Sequence, residues 1–395
     1  DVTDFGAVGD GHTNDTAAFA QAFAACGALD TGGTVYLPTG LYLITSTLKF
    51  DASAGPIDLV GDGWTSNVLW AFDDDLFVWQ APQEVAWITV RDLAVTSTTQ
   101  AKSPTSTALS FPSGFSQSLV DHVIFYGSGD VPGTSIQSQV FGSGIDMGTI
   151  SDTSTVRDCV MWFLQGTGVL IGKGSEIRIE GGRIIGNGMT GTGVHVTGNN
   201  GGVHIAGTDV ISLHTGVLLN NSNGAGSNRE IFITHATLDS NFRGLAVYDD
   251  SYVSIAGMWA ASSDGDNVWV SPGATNCMLD ITGGTIFNAG ALTSSCSDNV
   301  CNGLTVNAGS FSLTGVAVRN NKGRGIWVNN AAVKSYSITG CRIYSNGVGV
   351  DLNGTDYLLS SNVFFSNAAP NVFRSQAGAL ITNNVGITSN ATRQL

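Results

Sequence analysis

The chain has 395 residues, a formal net charge of −15 and a pI near 4.5, and no Lys/Arg run, so it would repel a phosphate backbone and nucleic acid is not an expected partner. Charged residues make up only 12%, hydrophobic residues 42%, and Gly (52) far outnumbers Pro (8), which sets aside collagen-like and flexible-linker chains. No apolar run reaches the roughly 18 residues needed to span a bilayer, so no membrane partner is expected either. What the composition favours is many short Val/Ile strands joined by tight Gly, Asn, Ser and Thr turns.

In chain order, the first predicted element is a helix from Asn14 to about Ala25, with Asn14 or Thr13 as its cap and Ala/Phe periodicity behind it. One such helix would cover an open sheet edge at the start of a solenoid. Asp73, Asp74 and Asp75 form an acidic turn that could attract calcium but reads as solvated, and no metal or cofactor is assigned. The Ser/Thr-rich stretch 96–118 reads as a loop insertion. From Gly144 onward a repeat of roughly 22 to 28 residues sets in. One strand of it recurs as Val203–Gly207, Ile231–His235, Val253–Gly257, Leu279–Gly283, Phe311–Gly315 and Tyr336–Gly340. The other recurs as Gly144–Met147, Gly168–Ile171, Gly193–Val196, Gly216–Leu219, Gly244–Val247, Asn267–Val270, Gly303–Val306, Gly325–Val328 and Gly349–Leu352.

Such a unit cannot bury its apolar face alone, whereas stacked units can, each strand pairing with its equivalent about 4.8 Å away. The expected fold is an all-β, right-handed parallel β-helix in one domain, residues 1–395. Residues 1–45 supply the cap and first strands, 46–385 the coils, and 386–395 a frayed or capping tail. Of six cysteines, Cys296 and Cys301 bound a short loop that a disulfide could close; the others sit in apolar strands as small buried residues. Sequons at Asn14, Asn220, Asn353 and Asn390, with an opening at Asp1 directly in structural sequence, are compatible with a secreted protein whose leader is gone.

Val2–Gly11, followed by Thr13–Phe19, and the run Gly32–Tyr42 closely resemble the opening signature of the pectate-lyase-like β-helix superfamily. The resemblance implies a carbohydrate substrate, since the superfamily includes polygalacturonases, glucanases, polysaccharide lyases, mannuronan epimerases and tailspike depolymerases. The polygalacturonase motifs are not present as a set, nor is the Asp-Pro-His-Glu run of the epimerases. Tailspike relatives are trimers, so a homo-oligomer stays open.

The same resemblance puts catalytic carboxylates in the turn before the Gly-x-x-x strand. That position gives Asp239, Asp264, Asp266 and Asp298, with separations of roughly 5 to 10 Å reachable by strand spacing. Alternation points one residue per strand outward: Asp146, Leu170, His195, Leu218, Ala246, Trp269, Thr305, Trp327, Asp351 and Phe373. In that row Trp269 and Trp327 could stack on sugar rings, with Tyr248 on the same side, unless a loop such as 288–302 folds over them. Arg319, Lys322 and Arg324, with Arg243 two to three coils before, could hold an anionic sugar or stabilise an enolate-like intermediate. Against each reading stands a plain one: Asp in a Gly/Ser turn caps its own backbone, and a basic cluster is a solvated turn. His195, His204, His214 and His235 pair with no nucleophile. The expected function is that of a secreted glycoside hydrolase acting on a polysaccharide or oligosaccharide through Asp239, Asp264 and Asp266, with Tyr248, Trp269, Trp327, Arg243, Arg324 and His195 binding substrate. The alternatives are a uronate-polymer lyase and a non-catalytic, tailspike-like glycan binder.

Overall fold

The computed structural model describes residues 1–131, 134–198, 200–221, 228–293, 296, 300–374 and 377–387; Asp298, Asn390 and most of the expected tail lie outside them. Two compact units, Asp1–His195 and Val196–Leu395, divide the chain that the sequence reads as one stack. Both are parallel β-solenoids, as expected, and no described helix is long and apolar enough to cross a membrane.

In the first unit the helix spans Thr16–Gly27, two residues later than expected, because Asp15 takes the cap position. The Asp15 carboxylate is spent elsewhere: it accepts the Val8 and Gly9 amides at 2.7 and 3.2 Å, tying the N-terminal turn to the helix. Phe19 and Phe23 point from the helix into the core. There Phe23 stacks on Phe50 (3.9 Å between ring centroids), Phe50 on Trp79 (4.0 Å) and Trp79 on Phe111 (4.6 Å), a fully buried aromatic column beneath the cap. The stretch 96–118 is not a single loop. Within it Thr107–Ser110 is a fully buried strand, paired with Phe77–Gln80 on one side and Ser143–Asp146 on the other, and Phe115–Ser116 pairs in the other sheet. Its Ser and Thr side chains mask the Leu109/Phe111/Phe115 core pattern.

In the second unit both repeated strands appear where the sequence puts them. The first recurs as Asn228–Thr234, Ser251–Ala256, Met278–Thr282, Ser310–Thr314 and Ser337–Thr339, each in register with the next. A left-handed residue turns each corner: Gly257, Gly283, Gly315 and Gly340 near +65°, or His235 at +51°. The second recurs as Arg243–Val247, Val268–Val270, Leu304–Val306, Arg324–Val328 and Val348–Leu352. Its inward residues, Leu245, Val268, Leu304, Ile326 and Val350, are completely buried. Gly opens these strands because coils approach closely there: a Cβ on Gly303 or Gly325 would meet the next coil's carbonyl oxygen at 2.6 or 2.7 Å.

An asparagine ladder was not foreseen. Buried Asn346 takes the Asn321 amide (3.1 Å) and Asn321 Nδ2 (2.8 Å) on its Oδ1, while its Nδ2 donates to Asn367 Oδ1 (3.1 Å) and Val318 O (3.1 Å). Each side chain thus satisfies turn groups that the strands leave unpaired. The row outside the second strand also differs from expectation at its end, where Val372, not Phe373, lies in register with Asp351.

Candidate functional site

The site in the second unit grows out of one break in the ladder. Four residues before Asn267, where the coil whose strand opens at Gly325 carries Asn321, the chain has Ser263. Asn267 fills the gap from the usual Gly position, accepting the Ser263 amide (3.2 Å) and donating to Phe287 O (2.9 Å) and Asn321 Oδ1 (3.2 Å). The residue just before it, Asp266, sits two positions before the inward Val268. Strand register puts Arg243 in that position one coil earlier, Asn302 one coil later and Arg324 the coil after that.

Asp266 is 2% exposed. Its Oδ1 accepts the Asn302 amide at 2.8 Å and Asn302 Nδ2 at 3.1 Å, and Thr305 hydrogen-bonds it as well. Burial pushes its carboxyl up to about 6; the Asn302 and Thr305 bonds and the Arg243 charge pull the other way and do not offset it. Asn302 also accepts the Arg324 amide at 2.8 Å and directly follows Cys301, whose expected disulfide to Cys296 is formed with the Cα atoms 5.8 Å apart. Asp264, half-buried two residues before Asp266, has an Oδ1 sealed from solvent with no hydrogen-bond partner. Asp239 does not join them. It closes the strand Thr237–Asp239 in the other sheet, in register with Ala261, and its carboxylate accepts from Ser240 Oγ at 3.0 Å.

Outside this row lies an aromatic and cationic layer. The Arg243 guanidinium stacks on the Trp269 ring at 4.0 Å and donates to the Tyr248 hydroxyl at 3.2 Å; Tyr248 packs against Trp269 with ring centroids 5.0 Å apart. Tyr248 is exposed and Trp269 half-buried, so this end of the row is open, as expected. Trp327 is not open. It is 6% exposed under the Arg324 guanidinium (4.3 Å), and Arg324 is itself held by the buried Asp351 at 2.8 Å, which Arg374 grips with two further bonds. Ala246, Thr305 and Asp351, also placed outward by alternation, are likewise buried. Over Trp327 and Asp351 the covering groups are the long side chains of Arg324 and Arg374, which an alternation rule does not see.

The remaining candidates disperse. Arg319 stacks on Phe287 at 4.3 Å, and Lys322 donates to Thr293 O at 2.6 Å. His204 stacks on Phe232, and His214 on Phe242 with its pKa lowered by burial and by Arg243. His195 belongs to the first unit, half-buried, with its pKa lowered by burial and Nε2 unpartnered. The acidic turn is structural: Asp73 accepts the Ser103 amide and the Ser106 hydroxyl, and Asp75 accepts the Thr107 amide at 2.8 Å. Elsewhere in the first unit Asp121, His122 and Asp158 converge, but Arg157 already grips Asp121 at 2.6 and 3.0 Å. Trp64, Tyr126 and Trp162 line an apolar groove of about 310 Å³, which sequence reasoning missed because those aromatics fall outside the Gly-x-x-x strands.

Residues 1–204 match the sequence model of a family described as rhamnogalacturonase A/epimerase, pectate lyase-like. Mannuronan C5-epimerase AlgE3 of Azotobacter vinelandii is 43% identical over 82 residues; the match takes in 17% of this chain and only 4% of that protein. Among solved structures, tailspike protein 3 of bacteriophage CBA120 aligns over 99% of this chain and 62% of its own, with TM-score 0.54 and 14% identity. DFA-IIIase from Arthrobacter chlorophenolicus A6, without its lid, aligns over 95% of this chain and 98% of its own, with TM-score 0.54 and 12% identity. At such identities the likeness is one of fold.

Proposed function

The chain belongs to the rhamnogalacturonase A/epimerase, pectate lyase-like family, and on that premise we propose that it is a glycoside hydrolase that cleaves a uronate-bearing polysaccharide with Asp266 as proton donor. The observation that carries this reading is the register row Arg243–Asp266–Asn302–Arg324 beside a half-open Trp269. A buried carboxyl raised to about 6 still holds its proton in mildly acid solution and can pass it to a glycosidic oxygen. Asp264, half-buried two residues before Asp266, is the second carboxylate, which activates water. Arg243 supplies a cation for an anionic sugar one coil from Asp266, on a protein of net charge −15. Its guanidinium now covers Trp269, so a uronate that engages Arg243 uncovers the indole for stacking and gives access to Asp266.

Arg243 also favours a second reading, β-elimination on a uronate polymer, in which the guanidinium neutralises the sugar carboxylate as the neighbouring proton leaves. The intrachain disulfide supports action outside the cell. Reducing-end release and ultraviolet absorbance, followed together over pectic, alginate and neutral polymers, separate the readings. Hydrolysis gives reducing ends alone, elimination adds the absorbance of unsaturated ends, and a glycan-binding solenoid gives binding with neither. Asp266→Asn and Asp264→Asn abolish cleavage on this account, and Asp239→Asn does not; cleavage that survives both of the first two substitutions overturns it.

A further inference from the structure

The first unit carries its own polar cavity, on the strand ladder that corresponds to the one bearing Asp266 in the second unit. Phe77–Gln80, Thr107–Ser110, Ser143–Asp146 and Thr167–Ile171 pair in parallel, with Phe77, Leu109, Ile145 and Val169 as the inward residues in register. Two positions before these stand Asp75, Thr107, Ser143 and Thr167; one position after them stand Val78, Ser110, Asp146 and Leu170. Thr105, Thr107, Ser143, Asp146, Thr167 and Leu170 line a cavity of about 240 Å³, the scale of one sugar ring.

The fixed polar groups are already used. Asp75 Oδ1 accepts the Thr107 amide, and the Ser143 hydroxyl donates to Pro104 O at 2.6 Å while accepting the Thr167 amide at 2.8 Å. Two groups are left over. Asp146 Oδ1 accepts the Gly148 amide at 2.8 Å, but its Oδ2 and the Thr167 hydroxyl have no partner among the described residues. Burial and the Asp75 charge raise the Asp146 carboxyl above its ordinary range, and no Lys or Arg lines the cavity. A second anion brought here would meet carboxylates without a counter-charge. Neutral hydroxyls, by contrast, can donate to Oδ2 and exchange hydrogen bonds with Thr167, while the Leu170 side chain packs against a sugar's C–H face.

We propose that this cavity is a separate glycan subsite that takes a neutral, uncharged sugar unit, with Asp146 and Thr167 binding its hydroxyls. The proposal rests on the carbohydrate reading of the chain but not on the role of Asp266. It is tested on the full chain by titration calorimetry and saturation-transfer NMR with methyl glycosides of glucose, galactose, mannose and rhamnose, alongside methyl galacturonoside and methyl mannuronoside. The expected result is binding of at least one neutral glycoside that is lost when the cavity is filled, while any uronoside binding, which belongs to Arg243 in the second unit, is unchanged by filling it. Asp146→Ala and Leu170→Trp, which fills the cavity, each weaken binding tenfold or more; Thr167→Val removes one hydroxyl without changing shape and weakens it several-fold. Asp266→Asn leaves this binding unchanged, so loss of cleavage and loss of the subsite are read separately. Uronoside binding that Leu170→Trp weakens as much as neutral-glycoside binding, no glycoside binding, or binding untouched by Leu170→Trp and Thr167→Val overturns the proposal.

Discussion

The two units build the same strand ladder and dress it differently. In both, an aspartate two positions before the inward residue accepts the amide of its successor one coil on at 2.8 Å: Asp75 from Thr107, Asp266 from Asn302. In the first unit the coils that follow add hydroxyls, Thr107, Ser143 and Thr167, and no cation. In the second unit Arg243 and Arg324 occupy that position in nearby coils, and Trp269 and Trp327 stand outside the strand. The backbone device is therefore generic, and on the two proposals above the charge of the sugar each site takes is set by whichever side chains stand beside it. A turn aspartate with one amide bond is structural on its own; buried among Asn302, Thr305 and Arg243 it becomes a candidate acid.

The comparison breaks most visibly at the acid itself. Asp266→Asn lowers polysaccharide cleavage by at least about 100-fold, measured as reducing-end release, while Asp75→Asn, the same position in the first unit, leaves cleavage within a few-fold. Next is the scaffold beneath the second site. Asn346→Ala orphans the Asn321 and Val318 groups it now satisfies and costs about 3 kcal/mol of stability in denaturant unfolding. Loss of Asp351 by substitution to Ala leaves Arg324 and Arg374 without their shared anion and costs a comparable amount.

The pH dependence of stability sharpens the contrast further. Asp266 is raised in the folded chain to about 6 from an ordinary 3.8, so below about pH 4 it is protonated folded or unfolded and contributes no penalty. As pH rises toward 6 the unfolded chain ionises first, and stability falls by up to about 3 kcal/mol. Asp266→Asn removes that loss, so unfolding at pH 8 shows a more stable but inactive variant. Arg243→Ser, which gives the second row the hydroxyl character of the first, raises KM for a uronate polymer roughly 30-fold, about 2 kcal/mol, with a smaller change on a neutral one. Trp269→Ala has the smallest effect, a several-fold rise in KM on both.

Repeat strands were legible in the sequence because inward residues such as Leu245, Val268 and Ile326 follow a strict alternation that any coil must repeat. That Asp266, Arg243 and Trp269 lie close together was legible because they stand at fixed offsets from those strands. Asp239 misled because sequence distance to the next Gly does not tell which of two sheets a turn residue belongs to. Trp327 misled because its cover, Arg324 held by Asp351, comes from side chains that reach over the strand from a corner and from the next coil. The asparagine ladder carried a sequence signal, Asn321 and Asn346 each recurring shortly before a Gly-x-x-x strand, but its meaning is cross-coil and shows only once the coils are stacked.

The most direct test of the central claim is single-turnover reducing-end release from a uronate polymer, followed from pH 4 to pH 8 for the native chain and for Asp266→Asn. The account predicts a native rate that falls as pH rises through about 6, and a variant at least about 100-fold slower without that limb. A variant that keeps the native rate and its pH profile would contradict it.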